Sequence, residues 1–332
     1  MEVILRYDLI TSSSGPSTPE TVAAVLEQSQ WADTRGFSTA QFGEHHGTPC
    51  GYNPSPILLA GAVAARTRNL RIQPIIALPL YETVRLAEDL CLLDHISNGR
   101  LDVSVVLGYV PSEFEMFGID IKERGRIADA KLAVLRQVFD GGEFEIDGRR
   151  GRITPGPLQP GGPALLIGGS LKATARRAAR YGTGFYPMFR SQELIDEYER
   201  ACAEFGKAPG QVYISDTRQT TIYVSEDPDR AWSQVAPYVA EYHGFYTAAS
   251  KSAGQFTGFQ DANDHDALRA LGRYPVMTPE ECIAFCQEET DAGNRIVICP
   301  LMGGMPLDLS WASLELFANK VIPAIRTVSA AA

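Results

Sequence analysis

The sequence predicts an α/β fold of the (β/α)8 barrel class, on three observations. Short apolar runs at 3–10, 37–43, 70–78, 100–107, 164–167, 183–189, 212–224 and 295–301 alternate with stretches of helical periodicity. The run at 70–78 is almost continuously apolar, as a parallel strand buried on both faces must be. No G-x-G-x-x-G follows the first run, which argues against the competing doubly wound sheet. The 332 residues, 45% of them hydrophobic, suffice for one barrel domain spanning 1–332.

Each element has local support. Thr18-Pro19-Glu20 reads as a helix start with Thr18 as N-cap, and Gly36 as its stop. The second run ends at Glu44-His45-His46, and a Gly/Pro/Asn loop leads to a helix over 56–66. Leu86, Leu90 and Leu93 mark one face of a helix over 81–96. Asn98-Gly99 turns into the fourth run, and the loop 108–118 carries acids and aromatics. A helix over 127–139 follows, then a Gly/Pro-rich hairpin or irregular excursion over 140–162. Gly168-Gly169-Ser170 opens a helix that ends near Tyr181-Gly182. Asp227-Pro228 and Thr278-Pro279-Glu280-Glu281 are further helix starts, the second a capping box. Periodicity is lost over 243–274, which reads as a long insertion of the kind that forms lids. The last helix covers 309–325.

Composition excludes several functions. Lys plus Arg is 30 and Asp plus Glu is 40, so the net charge is −10. Such a surface repels nucleic acid and anionic membranes. No apolar run reaches the ~20 residues of a membrane-spanning helix, and no secretory signal is visible, so a cytoplasmic setting is expected. The six cysteines (50, 91, 202, 282, 286 and 299) mostly sit in apolar periodic segments and read as buried thiols. Cys282 and Cys286 lack the second pair a zinc site needs, and no metal is expected.

Ligands of barrels bind at the C-terminal ends of strands. Those ends carry Glu44 and His45, Ala77-Leu78, Gly108-Tyr109, Gly168-Gly169-Ser170, Met188, 219–221 and 299–302. The set is mostly apolar, with one acid and a histidine, and suits a cofactor that brings its own chemistry. Gly168-Gly169-Ser170 at a strand-to-helix junction is a phosphate cradle or a simple tight turn. Arg124 and Arg126 are either its cationic partners or solvated surface residues. Adjacent His45 and His46 point to opposite sides in extended chain, so one faces the ligand. Imidazole there suits a general base or a structural role. Tyr109, Met188, Phe189, Tyr246 and Met302 are candidate pocket walls or ordinary core. His95, His243 and His265 are read as surface or supporting residues.

The ordered set Gly36-Phe37, Glu44-His45-His46, Leu78-Pro79, Leu93-Asp94, Ser97-Asn98-Gly99-Arg100, Gly108-Tyr109, Phe117-Gly118, Gly168-Gly169-Ser170 and Thr278-Pro279-Glu280-Glu281-Cys282 resembles the bacterial luciferase-like, flavin-dependent monooxygenases over nearly the whole chain. The resemblance implies a TIM barrel taking reduced FMN from a separate reductase. Oxygen adds to that flavin as a C4a-hydroperoxide, which oxygenates a small or medium organic substrate. It makes His45 catalytic, with Glu44 beside it. It places Pro74, Ile75, Gly108, Tyr109, Arg124, Gly169, Ser170 and Leu171 around the cofactor, with a non-prolyl cis peptide at Pro74-Ile75. It implies a homodimer or a pair with a paralogue. Leu107 stands where many members carry Arg, removing one cationic contact. The alternatives are a deazaflavin-dependent oxidoreductase of the same fold and a non-catalytic flavin-binding relative.

Overall fold

The structure, a computed structural model, describes residues 1–187, 190–213, 220–254, 259–262 and 264–329, the side chains of 326–329 excepted. In chain order the elements are β1 (Val3–Tyr7), α1 (Thr18–Ala32), β2 (Thr39–Phe42), α2 (Pro56–Arg66), β3 (Arg71–Ala77), α3 (Thr83–Ile96), β4 (Asp102–Val106), α4 (Pro111–Met116) and α5 (Arg124–Gly141). Then come the hairpin β5 (Glu143–Ile146) and β6 (Arg149–Arg152), β7 (Ala164–Gly169), α6 (Lys172–Tyr181), β8 (Gly184–Pro187), α7 (Gln192–Glu204), β9 (Gln211–Val212) and β10 (Tyr223–Val224). The chain ends with α8 (Pro228–Ala253), α9 (His265–Ala270), β11 (Val276–Met277), α10 (Pro279–Asp291), β12 (Ile296–Ile298), α11 (Leu307–Leu316) and α12 (Ile322–Ser329), the last two joined by a π-turn over Phe317–Val321. Parallel strands alternating with helices along the whole chain are the predicted TIM-barrel class.

The chain divides into two compact units. The first comprises Met1–Gln41, His45–Pro54 and Asp216–Ala332. Its strands run in the order β12-β1-β2, with Val3 opposite Ile296 and Leu5 opposite Ile298. Ile4, Ile10, Trp232, Val239, Val297 and Met305 form its apolar core. The second comprises Phe42–Glu44 and Ser55–Ser215, with parallel strands in the order β3-β4-β7-β8-β9. Ile75 to Ala77 pair with Ser104 to Val106, and Asp102 to Val105 with Ala164 to Ile167.

The polar signature 94–100 holds the second unit together. Asp94, fully buried, accepts the N–H groups of Leu158 and Gln159 and the Gln159 amide, each at 2.8 Å. Arg100 donates to the carbonyls of Ala64, Thr67 and Leu70 and so caps the end of α2. Asn98 and Gly99 both adopt positive φ, +54° and +74°, as the turn into β4 requires.

Four expectations need correction. The helix α1 is capped one residue earlier than read: Ser17 takes the cap, and its N–H donates to Glu20 at 2.8 Å. The run at 212–224 is two strands, β9 in the sheet of the second unit and β10 paired with β11 in the first, with 214–219 outside the described residues. The segment 243–274 is in part helical: α8 continues to Ala253 and α9 lies within it, with 255–258 and 263 outside the described residues. Its helical face is Tyr242, His243, Tyr246, Ala249 and Ser250, spaced i, i+1, i+4, i+7 and i+8, too polar to register as apolar periodicity. Finally, Pro74-Ile75 is trans, and the cis bond among the described residues is Thr154–Pro155. A trans bond lets β3 continue straight through residues 75–77, which keep their ladder to β4.

Candidate active site

In the first unit, the chain leaves β2 and brings His45 into the protein interior, 7% exposed. Its neighbour His46 is only half-buried, so one imidazole of the pair points inward, as the alternation of extended chain demands. The His45 N–H donates to the Asn53 carbonyl (3.2 Å), and the Asn53 N–H donates to the Asp8 carbonyl (2.7 Å). The ends of β1 and β2 are therefore stitched through one residue. Aromatic edges enclose the imidazole. Tyr52 lies 4.7 Å away at 84°, Phe245 4.9 Å at 76° and Tyr246 5.9 Å at 75°. The Tyr52 and Tyr246 hydroxyls share a hydrogen bond of 2.7 Å, and Tyr246 stacks on Phe259 at 4.7 Å and 12°. Burial pushes the Tyr246 hydroxyl up to about 12 and those of Tyr52 and Tyr242 well above the ordinary phenol value. All three stay neutral donors.

Two further groups belong to this cluster. Burial lifts the Asp8 carboxyl to about 7, and it lifts the Cys299 thiol to about 12. Arg6 donates through Nε to the Gln41 amide oxygen at 2.6 Å. None of Arg6, Asp8 or Gln41 stands out in the sequence, because the first two interrupt one apolar run and the third another, without a motif.

In the second unit the features are mainly backbone. Gly108, after β4, has φ +75°, and a Cβ there meets the Phe114 ring at 2.9 Å. Gly169, at the end of the adjacent strand β7, has φ +149°, and a Cβ there meets the Thr174 hydroxyl at 2.9 Å. Only glycine lets the chain lie this close to the first turn of α6. Ser170 is half-buried and Leu171, the residue before α6, is 64% exposed. Tyr109, Ile75 and Leu107 are half-buried and Pro74 is buried.

Glu44 works differently from His45. Its two oxygens accept the Ala77 N–H and the Tyr81 O–H, each at 2.5 Å. Burial first, and this carboxylate second, push the Tyr81 hydroxyl far above its ordinary value. Lys131 of α5 donates to the carbonyls of Leu78 (3.4 Å), Pro79 (2.8 Å) and Tyr81. The end of β3 is thus gripped by a carboxylate on its N–H and an ammonium on its carbonyls.

Arg124 opens α5, half-buried, and donates to the Ile121 carbonyl at 2.8 Å. It has no carboxylate partner among the described residues, whereas Arg126 pairs with Glu123 at 2.6 Å on the surface. Arg177, 8% exposed on α6, binds Asp129 of α5 at 2.7 and 3.1 Å and the Gly125 carbonyl at 3.4 Å. It ties α6 to the first two turns of α5. In the sequence Arg177 is one of three arginines in a cationic helix and carries no motif. Its i+1 relation to Arg176 puts it on a different face, the only available signal.

The remaining candidates scatter. Met188, Phe189 and Gln219 lie outside the described residues. Met302 is buried in the apolar core of the first unit. His95 donates through Nε2 to the Gly156 carbonyl on the surface, and His265 starts α9. His243 is not a surface group: it is 3% exposed, 2.9 Å from the Tyr274 hydroxyl and 2.6 Å from the Gln260 carbonyl. Five of the six cysteines are buried and all are free; Cys282 and Cys286 lie 4.0 Å apart on α10. Among the described residues no cluster of metal-ligating side chains exists, and no helix is long and apolar enough to cross a membrane.

The first unit thus holds a histidine in an aromatic enclosure, and the second holds glycine turns after two neighbouring strands and an arginine at a helix start. The family model for luciferase-like monooxygenases matches residues 4–286, and the chain belongs to that family. It is 23% identical to the alkanal monooxygenase alpha chain of Photorhabdus laumondii, over 93% of this chain and 94% of that one. It is 24% identical to the oxygenase component of the flavin-dependent trigonelline monooxygenase of Acinetobacter baylyi, over 90% and 89%. Among solved structures it resembles monooxygenase RslO1 of Streptomyces bottropensis, with a TM-score of 0.77, 25% identity and coverage of 97% and 99%. It also shares the fold of the oxygenating constituent of 3,6-diketocamphane monooxygenase of Pseudomonas putida in complex with FMN, with a TM-score of 0.72, 19% identity and 98% of each chain covered.

Proposed function

We propose that this protein uses reduced FMN, supplied by a separate reductase, and molecular oxygen to insert one oxygen atom into a small or medium organic substrate. The enclosure of His45 by Tyr52, Phe245 and Tyr246 carries this reading. A base held away from water by neutral aromatics suits a redox intermediate that water would destroy. The A. baylyi relative is named as an oxygenase component, which supports a reductase partner.

The residues of the second unit fit the cofactor. A Cβ at Gly169 would fill the cradle before α6, Ser170 offers a hydroxyl, and the N-terminal turn from Leu171 offers N–H groups to a phosphate. Arg124 supplies the charge that Leu107 does not. Pro74, Ile75, Gly108 and Tyr109 form the surface expected under and beside the ring. When bound, the flavin supplies electrons to oxygen. His45 holds or moves the proton at its imidazole, the aromatic residues exclude water, and Glu44 positions β3 rather than touching the reacting atoms.

A homodimer or paralogue pair fits the exposed apolar side chains of α2 and α3, Leu58 at 76%, Leu92 at 51% and Ile96 at 45%. The Leu92→Glu variant is expected to shift the size-exclusion peak toward the monomer.

The reading is tested by mixing the protein with reduced FMN, oxygen and candidate substrates in a stopped-flow instrument, with a parallel arm of reduced deazaflavin. A transient flavin absorbance followed by an oxygenated product supports it. Turnover with deazaflavin alone, without uptake of oxygen, overturns it in favour of hydride transfer.

A further inference from the structure

Asp8 sits at the C-terminal end of the first strand, 3% exposed. Its carboxylate accepts backbone N–H groups, that of Ile10 at 2.9 Å. Among the described residues no ion pair compensates it, although Arg6 lies two residues away and within electrostatic reach. A buried carboxylate without an ion pair pays the desolvation cost of its charge, so the fold favours its protonated form. Titratable and charged groups within its electrostatic reach include Arg6 on its own strand, Tyr52 after β2, Tyr246 on α8 and Cys299 after β12. The tyrosines and the thiol are neutral donors at neutral pH. Asp8 differs from these tyrosines and this thiol in that its charge changes there.

Its placement ties it to the histidine. The Asp8 carbonyl holds Asn53, the Asn53 carbonyl holds the His45 N–H, and the residue between, Tyr52, packs on the imidazole. We infer that Asp8 is a second proton-exchanging residue of the His45 cluster, positioned by Asn53 and acting beside the Tyr52–Tyr246 hydroxyl pair. The exchange breaks and remakes one carboxylic O–H bond, and in the free protein the proton passes to and from bulk water. The inference deepens the monooxygenase reading, yet its first test does not need the cofactor.

The experiment compares thermal unfolding of the wild type and Asp8→Asn from pH 4 to 9, without flavin. Asn keeps the acceptor for Ile10 and cannot ionise. The wild type should lose stability relative to the variant as pH rises from about 4 to about 7, with a constant difference above that. A difference that does not change with pH overturns the inference. If Asp8→Asn does not fold, infrared titration of the wild type decides instead. A protonated-carboxyl band disappearing with a midpoint near pH 7 supports the inference, and its absence at pH 5 to 6 overturns it. The pH profile of substrate oxidation should then lose its limb near neutrality in Asp8→Asn. A pH-dependent unfolding difference in a protein that oxidises nothing leaves Asp8 as inferred and removes the monooxygenase reading alone.

Discussion

The surroundings of His45 and those of Gly169 are built from different materials. Around His45 the structure is side chains: three aromatic rings, a buried carboxyl and a thiol, drawn from residues 8, 45, 52, 245, 246 and 299. Around Gly169 it is backbone: a glycine turn laid against Thr174 and the start of α6. The contrast suits a division of labour. Side chains tune pKa values and exclude water, which is what proton handling needs. Backbone N–H groups and glycine turns approach a phosphate closely, which is what recognition needs.

The largest effect should come from the side-chain region. His45→Gln is expected to lower product formation by about 10²- to 10⁴-fold, the usual contribution of a positioned acid–base group. Reduced-FMN affinity should stay within a few-fold of wild type. Rate and affinity measured together break the comparison if both fall equally, because the histidine would then be part of recognition.

The backbone region should answer with the opposite split. Removing Arg124 by Ala is expected to weaken reduced FMN by about tenfold, as for one hydrogen bond to a charged group, about 1.5 kcal/mol. Riboflavin, which lacks the phosphate, should bind wild type and variant alike. Equal losses for both flavins would move Arg124 away from the phosphate end.

Arg177→Met tests the staple beneath that region. Removing one partner of a buried pair costs about 3–5 kcal/mol. Here Asp129 remains 45% exposed and keeps access to water, so the loss should be nearer 1–2 kcal/mol, read from denaturant midpoints. FMN affinity should fall with it, since α5 and α6 then lose their common anchor.

The two regions also differ in how much of them the sequence disclosed. Backbone features travel as short motifs. Gly168-Gly169-Ser170, Asn98-Gly99 and Thr278-Pro279-Glu280-Glu281 each have a local reason that reads without the fold, and the last forms the predicted capping box, with Glu281 on the Thr278 N–H at 2.9 Å. The strand-helix alternation was equally legible, because period and burial coincide in a parallel barrel. The His45 cluster was legible only at His45 and Tyr246. Arg6 and Asp8 interrupt an apolar strand without a motif, and their meaning depends on Asn53, 45 residues beyond Asp8 in the numbering. The aromatic face of α8 failed for another reason. Tyr and His count as polar in a periodicity search, yet here they are buried by packing on one another.

The smallest predicted effect separates two buried titratable groups in the first unit. His243 touches the Gln260 carbonyl through Nε2, so Nε2 carries the proton and Nδ1 accepts from the Tyr274 hydroxyl. Protonation would turn that acceptor into a donor. Burial first, with Arg273 adding to it, lowers the His243 pKa below its ordinary value of 6.5. Its folded pKa lies under the unfolded one, so its contribution to stability is present above pH 6.5 and is lost as pH falls. The loss is at most about 1.4 kcal/mol per pH unit. Asp8 has the opposite sign: its folded pKa lies above the unfolded one, and its contribution is lost as pH rises toward about 7. His243→Gln should therefore flatten the acid side of the unfolding-temperature profile, while Asp8→Asn removes the decline that Asp8 imposes as pH rises toward about 7. If His243→Gln instead changes stability equally at pH 5 and pH 8, the imidazole serves only as a spacer between α8 and Gln260, and proton sensitivity in this unit belongs to Asp8.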